Sequence, residues 1–181
     1  RADASAALVA EAERAEAAFT GVLNDDRGYL YDVVDDETRD PAIRPNALFA
    51  LALPFPLVTG ERAESILAVA ESRLLTPVGL RTLEQGDPAY RGRYEGGVVE
   101  RDGAYHQGTV WPWLLGPFVD ALLAVRGEEG ARQARTLVDG LAGELRRSGL
   151  GHLAEVYDGD EPRAPRGCVA QGWSVAEVLR V

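Results

Sequence analysis

Residues 108–125 have the sequence GTVWPWLLGPFVDALLAV, which is apolar on nearly all sides of a helix. A helix without a polar face is predicted to be buried. In residues 130–147, by contrast, Ala134, Leu137 and Leu141 form one apolar stripe among charged residues. The two segments together predict a helical hairpin with one buried and one surface member.

Two prolines, Pro112 and Pro117, interrupt the apolar stretch. Proline lacks an N–H donor and is tolerated in the first turn of a helix, so Pro112 fits there. Pro117 lies deeper and is predicted to kink the helix or to shift its start. Helical spacing also predicts that Trp111 and Trp113 lie on different faces, one in a cleft wall and the other in the core.

The alternation of amphipathic and apolar helices extends along the whole chain. An amphipathic segment at residues 4–23 precedes an apolar one at residues 45–53, and a second amphipathic segment follows at residues 63–74. A last apolar helix is predicted at residues 169–179. The pattern predicts an all-α (α/α) toroid fragment of about three helical hairpins, with a compact six-helix domain as the alternative.

Charge and composition exclude several classes of partner. The 181 residues include 19 Lys and Arg against 29 Asp and Glu, a formal net charge of −10. Nucleic acids and anionic membranes bind basic surfaces, so neither partner is expected. No run of about 20 apolar residues is present, which argues against a transmembrane helix. The single cysteine, Cys168, excludes an internal disulfide and fits a cytoplasmic protein.

Three long loops are predicted between the hairpin members, at residues 24–44, 76–107 and 148–167, here called the first, second and third loops. The connections at residues 54–58 and 126–129 are short. In a toroid the long loops share one end, where the N-termini of the buried helices also point. Loops longer than about 15 residues are commonly functional, so this end is the predicted site.

Carboxylates are the most abundant chemical groups of the two later loops. Glycoside hydrolysis requires a carboxylic acid and a second carboxylate that acts as base or nucleophile. The alternatives are a triad of a histidine with Ser148 or Ser174, and a metal site of His106, His152 and Asp102. No G-x-S-x-G elbow or known ligand spacing supports them. No metal and no cofactor is therefore expected.

Several longer segments resemble a single enzyme family. AYHQGTVWPWL at residues 104–114 is similar to the C-terminal amylo-α-1,6-glucosidase domain of glycogen debranching enzymes. The resemblance covers nearly the whole chain. The other similar segments, in the same order as in the family, are RGYLYDVV (27–34), RPNALFALALPFPLV (44–58), TPVGLRTL (76–83), DPAYRGRYEGG (87–97) and GHLAEVYDGDEPRAPRGCVAQGWSVAEVLR (151–180).

The resemblance implies a fold and a reaction. Residues 1–181 are expected to be the C-terminal part, roughly half, of an (α/α)6-barrel catalytic domain. The implied reaction is inverting hydrolysis of α-1,6-linked glucose in glycogen or an α-glucan oligosaccharide. Glu155 matches the glutamate of the family's GH-x2-E segment and is the expected general base. The family's general acid is an aspartate in a Trp-Met-Asp stretch, which this chain lacks, so the acid is expected upstream in a longer polypeptide.

Sugar contacts are expected around the N-termini of the buried helices. The rival interpretations are a non-catalytic carbohydrate-binding or scaffold fragment, which the missing acid favours for the isolated chain, and another barrel glucosidase of the glucoamylase or trehalase type. A half-toroid also exposes an apolar seam, which predicts self-association. The expected substrate-binding residues are Arg44, Asn46, Tyr105, His106, Gln107, Trp111, Gln171 and Trp173.

Overall fold

The computed structural model describes residues 2–147 and 150–181, and about half of this part is helical. None of its helices combines the length and the apolar character that a bilayer crossing requires. Three 3-10 helices occur at Thr20–Val22, Pro45–Leu48 and Pro112–Leu114. The α-helices are α1 (Ala2–Phe19), α2 (Phe49–Ala52), α3 (Gly60–Arg73), α4 (Val98–Ala104), α5 (Leu115–Leu141), α6 (Glu144–Arg147) and α7 (Gly172–Arg180).

Short strands lie within and between the loops, and of these the sequence pattern predicts only the extended segment at residues 29–34, where two of them form. Two separate hairpins pair β1 with β2 and β3 with β4, and a five-stranded antiparallel sheet has the order β5-β6-β7-β8-β9. The strands are β1 (Leu23–Asn24), β2 (Tyr29–Leu30), β3 (Val33–Val34), β4 (Arg39–Asp40), β5 (Leu75–Thr76), β6 (Gly79–Arg81), β7 (Val110–Trp111), β8 (Val156–Tyr157) and β9 (Pro165–Arg166).

The prolines of residues 108–125 determine where the long helix begins. The segment starts as strand β7, continues as the 3-10 helix that begins at Pro112, and becomes α-helical at Leu115. Pro117 therefore lies in the first turn of α5, which confirms that it shifts the helix start. Gly127 interrupts α5 with φ 55° and ψ −125°, at the predicted short connection. A positive φ of this kind favours glycine.

The hydrophobic core lies among α2, α3 and the first half of α5. The predicted α3 stripe is buried, and its residues Ile66 and Leu67 are at most 1% exposed. They pack in one cluster with Leu51, Phe118 and Leu122. Burial of one such side chain contributes about 1.5–3 kcal/mol, so this cluster fixes the scaffold from which the long loops extend.

Helix α1 forms as predicted, but its apolar stripe is not buried. Leu8 is 71% exposed, and Ala12 and Ala15 are also exposed. Only the end of the stripe, at Phe19 and Val22, packs against the core. No element among residues 2–147 and 150–181 covers the rest of α1, so amphipathic periodicity predicts the helix correctly and its burial wrongly.

Candidate active site

Hydrogen bonds connect the first loop to the second, as the toroid pattern predicts. Nη1 of Arg44 donates to the carbonyl oxygens of Thr82 at 3.0 Å and His106 at 2.7 Å. Nη2 of Arg44 donates to Oε1 of Gln107 at 2.7 Å, and Nε lies 3.4 Å from Oδ2 of Asp32. Arg44 therefore joins the two loops with most of its donor groups.

Hydrogen bonds also connect the second loop to the third. The phenol of Tyr90 donates to Asp160 at 3.0 Å, and the N–H of Tyr94 donates to Asp158 at 2.9 Å. Nε of Arg81, at the end of β6, donates to the carbonyl oxygen of Gly159 at 3.2 Å. The three loops thus lie next to one another.

The β8–β9 hairpin positions Glu155 at the start of β8. The strands pair antiparallel with Val156 opposite Arg166, so Glu155 lies one residue beyond the paired strands, beside Gly167 and Cys168. The N–H of Glu155 donates to the carbonyl oxygen of Cys168 at 2.9 Å. Gly167 has φ +65°, and a Cβ there would lie 2.4 Å from Oε2 of Glu155. Glycine is therefore required at this point by both backbone conformation and space.

Both carboxylate oxygens of Glu155 accept a hydrogen bond. Oε1 accepts from the phenol of Tyr105, and Oε2 accepts from the N–H of Cys168 at 2.9 Å. The Glu155 side chain is only partly buried. A carboxylate has about four acceptor positions, so two remain for water or substrate.

Among the described carboxylates of the third loop, Glu155 is the one that forms no ion pair with a described residue. Within the described residues 150–167, Asp158 pairs with Arg166 at 2.9 Å. Asp160 lies 3.9 Å from Arg93, and Glu161 pairs with Arg163. Glu155 has only neutral donors, which suits a group that must accept a proton.

Tyr105 belongs to a cluster of aromatic rings beside Glu155. Its ring centroid lies 5.7 Å from that of Tyr94 and 4.8 Å from that of Trp111, in an edge-on arrangement with the latter. Burial first, and then the hydrogen bond to Glu155, raise the pKa of Tyr105 well above its usual range. Tyr105 therefore stays protonated and remains a donor to Glu155.

His106 stacks on the same tryptophan. Its ring lies 5.1 Å from Trp111 at an interplanar angle of 18°. Desolvation of the ring, followed by the positive charge of Arg44, lowers the pKa of His106 below its ordinary value. The imidazole is therefore neutral at neutral pH, with one donor and one acceptor nitrogen.

A depression of about 230 Å³ lies next to this cluster. Trp111 and Trp113 both line it, so the prediction that they point to a cleft and to the core separately is wrong. The prediction assumed one helix, whereas Trp111 is in strand β7 and Trp113 is in the following 3-10 helix. The lining residues are Arg44, Pro45, Asn46, Thr82, His106, Trp111, Trp113 and Leu114.

The remaining predicted sugar contacts lie around the depression but do not line it. Gln107 is partly buried and accepts from Arg44. Gln171 precedes α7, and its N–H donates to the carbonyl oxygen of Leu153 at 2.9 Å. Trp173, in the first turn of α7, is 57% exposed. The structure therefore brings Arg44, Asn46, His106 and Trp111 together most closely.

The sequence pattern does not single out Asp32 as a member of this region. Nδ2 of Asn46 donates to Oδ1 of Asp32 at 2.7 Å, and Arg44 contacts the other oxygen. The Asp32 side chain is 12% exposed. Its only signal in the sequence is its place in the extended segment YLYDVV, whose side chain contacts depend on tertiary structure.

The alternative chemistries find little support in the described part of the chain. The Oγ atom of Ser174 is buried and has no hydrogen-bond partner there, and Ser148 lies outside the described residues. His152 is exposed. No group of three His, Cys, Asp or Glu side chains in residues 2–147 and 150–181 is arranged to bind a metal ion.

Comparison with known sequences identifies related proteins. The chain matches the family model of the amylo-alpha-1,6-glucosidase domain over residues 4–180. The glycogen debranching enzyme of Saccharomyces cerevisiae (strain ATCC 204508 / S288c) is 38% identical over 88 residues, which are 45% of this chain and 6% of that protein. The chain thus corresponds to a small part of this relative.

Comparison with solved structures supports the fold. Two crystal structures of the GH63 mannosylglycerate hydrolase from Thermus thermophilus, one with Tris and one with Tris and D-glycerate, each give a TM-score of 0.62. They are 17% and 16% identical and cover 92% of this chain and 36% of theirs. The likeness confirms the predicted all-α fold, a partial helical toroid. Because the family match spans almost every residue, the chain belongs to the amylo-alpha-1,6-glucosidase family of glycoside hydrolases.

Proposed function

We propose that this chain forms part of an inverting glycosidase that hydrolyses α-1,6-glucosidic branch linkages of glycogen or an α-glucan oligosaccharide, with Glu155 as the general base. One observation supports this most: the Glu155 carboxylate is partly exposed, is oriented by two neutral donors and lies beside an aromatic cluster. The general acid is contributed by a segment upstream in a longer polypeptide, and no metal or cofactor takes part.

The proposed reaction needs two proton transfers, one from the attacking water and one to the departing oxygen. Glu155 accepts a proton from water as the water oxygen bonds to the anomeric carbon, and the bond from that carbon to the branch oxygen breaks. The upstream acid gives its proton to the departing oxygen. In inverting enzymes the two carboxyl groups lie about 6.5–9.5 Å apart, which leaves room for the water.

The sugar is proposed to bind in and around the depression beside Trp111. The exposed ring of His106 offers a stacking surface that the buried Trp111 supports from behind, and the neutral His106 can donate to one hydroxyl and accept from another. Arg44 acts there mainly through the loop contacts already described. The proposed set of substrate-binding residues is Arg44, Asn46, His106, Gln107, Trp111, Gln171 and Trp173, whereas Tyr105, also expected among them, donates to Glu155.

The test is Glu155→Gln in the polypeptide that contains this chain and its upstream segment, with an α-1,6-branched limit dextrin as substrate. Loss of the base is expected to lower kcat by roughly 100- to 10,000-fold, the usual contribution of acid–base catalysis. Glu129→Gln is the matched control, because Glu129 is exposed on α5 and contacts only Arg132. Near-normal hydrolysis by Glu155→Gln would exclude Glu155 as the base.

Two rival functions give different results in the same experiment. A non-catalytic carbohydrate-binding protein would bind maltooligosaccharides in calorimetry without turnover by the unsubstituted polypeptide. A glucosidase of the glucoamylase or trehalase type would prefer linear α-glucans or trehalose in a substrate panel. We propose a cytoplasmic location because of the single cysteine and the similarity to a glycogen-metabolising relative.

We also propose that the 181-residue chain self-associates when it is isolated. The support is apolar surface on α1 and α7, where Leu8 is 71% exposed and Leu179 is 80% exposed. Apolar patches of this kind associate to leave water. Light scattering should give a mass above the 19.5 kDa of the single chain. A clean monomer that binds no hydrophobic dye would contradict the proposal.

A further inference from the structure

The phenol of Tyr105 is engaged by Glu155 rather than free for a sugar. Its hydroxyl donates to Oε1 of Glu155 from 50 residues away in the chain, across the second and third loops. The hydroxyl has one hydrogen, so a Tyr105 that donates to Glu155 has no hydrogen to donate to a substrate. The function of Tyr105 is therefore an effect on Glu155.

Tyr105 is itself held in place by its surroundings. Its ring packs against Tyr94 and Trp111, and its carbonyl oxygen accepts from Nε1 of Trp111 at 3.1 Å and from Oγ1 of Thr109 at 2.6 Å. Trp111 is 3% exposed and anchored in strand β7. The donor to Oε1 is thus held at the C-terminal end of α4 by its packing and hydrogen bonds to strand β7 and to Thr109.

The opposite oxygen is fixed in an independent way. Oε2 accepts from the N–H of Cys168 at 2.9 Å, and Gly167 allows the close approach of this backbone. With one donor on each oxygen, the plane of the carboxylate is defined. Without Tyr105, the Glu155 side chain would keep one contact and could rotate about its terminal bond, whose torsional preference is broad.

We propose that Tyr105 is a positioning residue that orients the Glu155 carboxylate. This inference rests on the proposed role of Glu155 as the base. A neutral phenol stabilises the ionised carboxylate through a hydrogen bond without placing a positive charge near the attacking water. A base that is ionised and correctly aimed is what the water-activation step requires.

The experiment compares Tyr105→Phe with Tyr90→Phe in the polypeptide that contains this chain and its upstream segment. Tyr90 is a matched control, because its phenol also joins the second loop to a carboxylate of the third loop, at Asp160. For Tyr105→Phe, kcat should fall about 10- to 100-fold because the base is misaligned, with KM nearly unchanged. Tyr90→Phe should leave both kcat and KM unchanged.

Each other outcome overturns the inference. If Tyr105→Phe raises KM and leaves kcat unchanged, Tyr105 contacts the sugar. Equal losses of kcat in the two variants, with equal falls in Tm, would make both phenols general loop contacts. If Glu155→Gln stays active, the proposed function fails, and that result is separate from the Tyr105 measurements.

Discussion

Glu155 and Asp158 belong to the same loop but lie in opposite surroundings. Glu155 is partly exposed and, within the part of the chain that the structure describes, accepts hydrogen bonds from the Tyr105 phenol and the Cys168 N–H. Three residues later, Asp158 is 0% exposed and accepts from Arg166 and from the Tyr94 N–H. The difference is one of accessibility and charge: Asp158 is buried in an ion pair with Arg166, whereas Glu155 remains accessible.

The largest expected effect on stability follows from removing the buried charge. Asp158→Asn leaves Arg166 with the longer, 3.8 Å contact to Glu95 in place of its buried anionic partner, and we expect the free energy of unfolding to fall by about 2–3 kcal/mol. The value is at the lower end for buried pairs because the Arg166 side chain is 33% exposed and can regain water. Urea unfolding followed by circular dichroism measures the change.

The matched control for that experiment is Glu161→Gln. Glu161 also pairs with an arginine of the third loop, but its side chain is 73% exposed. Exposed ion pairs add little to stability, so no measurable change is expected. Equal losses in the two variants would contradict the structural role given to Asp158.

A smaller effect on stability is expected from Gly167→Ala, next to Glu155. Gly167 and Gly60 have nearly equal φ, +65° and +64°, but only Gly167 has atoms within 4 Å of an added Cβ, and these belong to Glu155. Both alanine variants should lose about 1–2 kcal/mol of stability from the left-handed backbone. Only Gly167→Ala should also lose activity on branched dextrin, by about 10-fold, because Glu155 must move.

A Gly60→Ala variant with the same loss of activity would show that backbone strain alone is responsible. An unchanged kcat for Gly167→Ala would show that the Glu155 carboxylate tolerates displacement. The difference between the surroundings of Glu155 and Asp158 would then have no consequence for activity.

The helical scaffold could be predicted from the sequence because it depends on local periodicity. The spacing of apolar residues alone was enough to predict the helices at residues 45–53 and 63–74. Pro117 indicated the shifted start of α5. Apart from the extended segment at residues 29–34, which contains β2 and β3, the strands could not be predicted, because segments of two or three residues are too short to show alternation. For the same reason Trp111 was expected on a helix and lies in β7.

The clustering of the three loops could be predicted from the sequence, but the contacts within the candidate site could not. Loop lengths predicted where the functional groups gather, and the resemblance pointed to Glu155. The hydrogen bond from Tyr105 to Glu155 spans 50 residues and depends on the packing of both loops, which no local pattern encodes. The exposure of the apolar stripe of α1 could not be predicted either, because periodicity does not show whether another element covers Leu8.

The antiparallel register of β8 and β9 makes the length of residues 158–164 a determinant of chemistry. Val156 lies opposite Arg166, and this pairing brings the neighbouring Glu155 beside Gly167. A strand that slips by one residue turns every side chain to the other face of its sheet. A single insertion or deletion in this turn would shift β9 along β8, which β7 also holds in place, and would thereby move Gly167 and the Cys168 N–H away from Glu155 while leaving the helices of the scaffold intact.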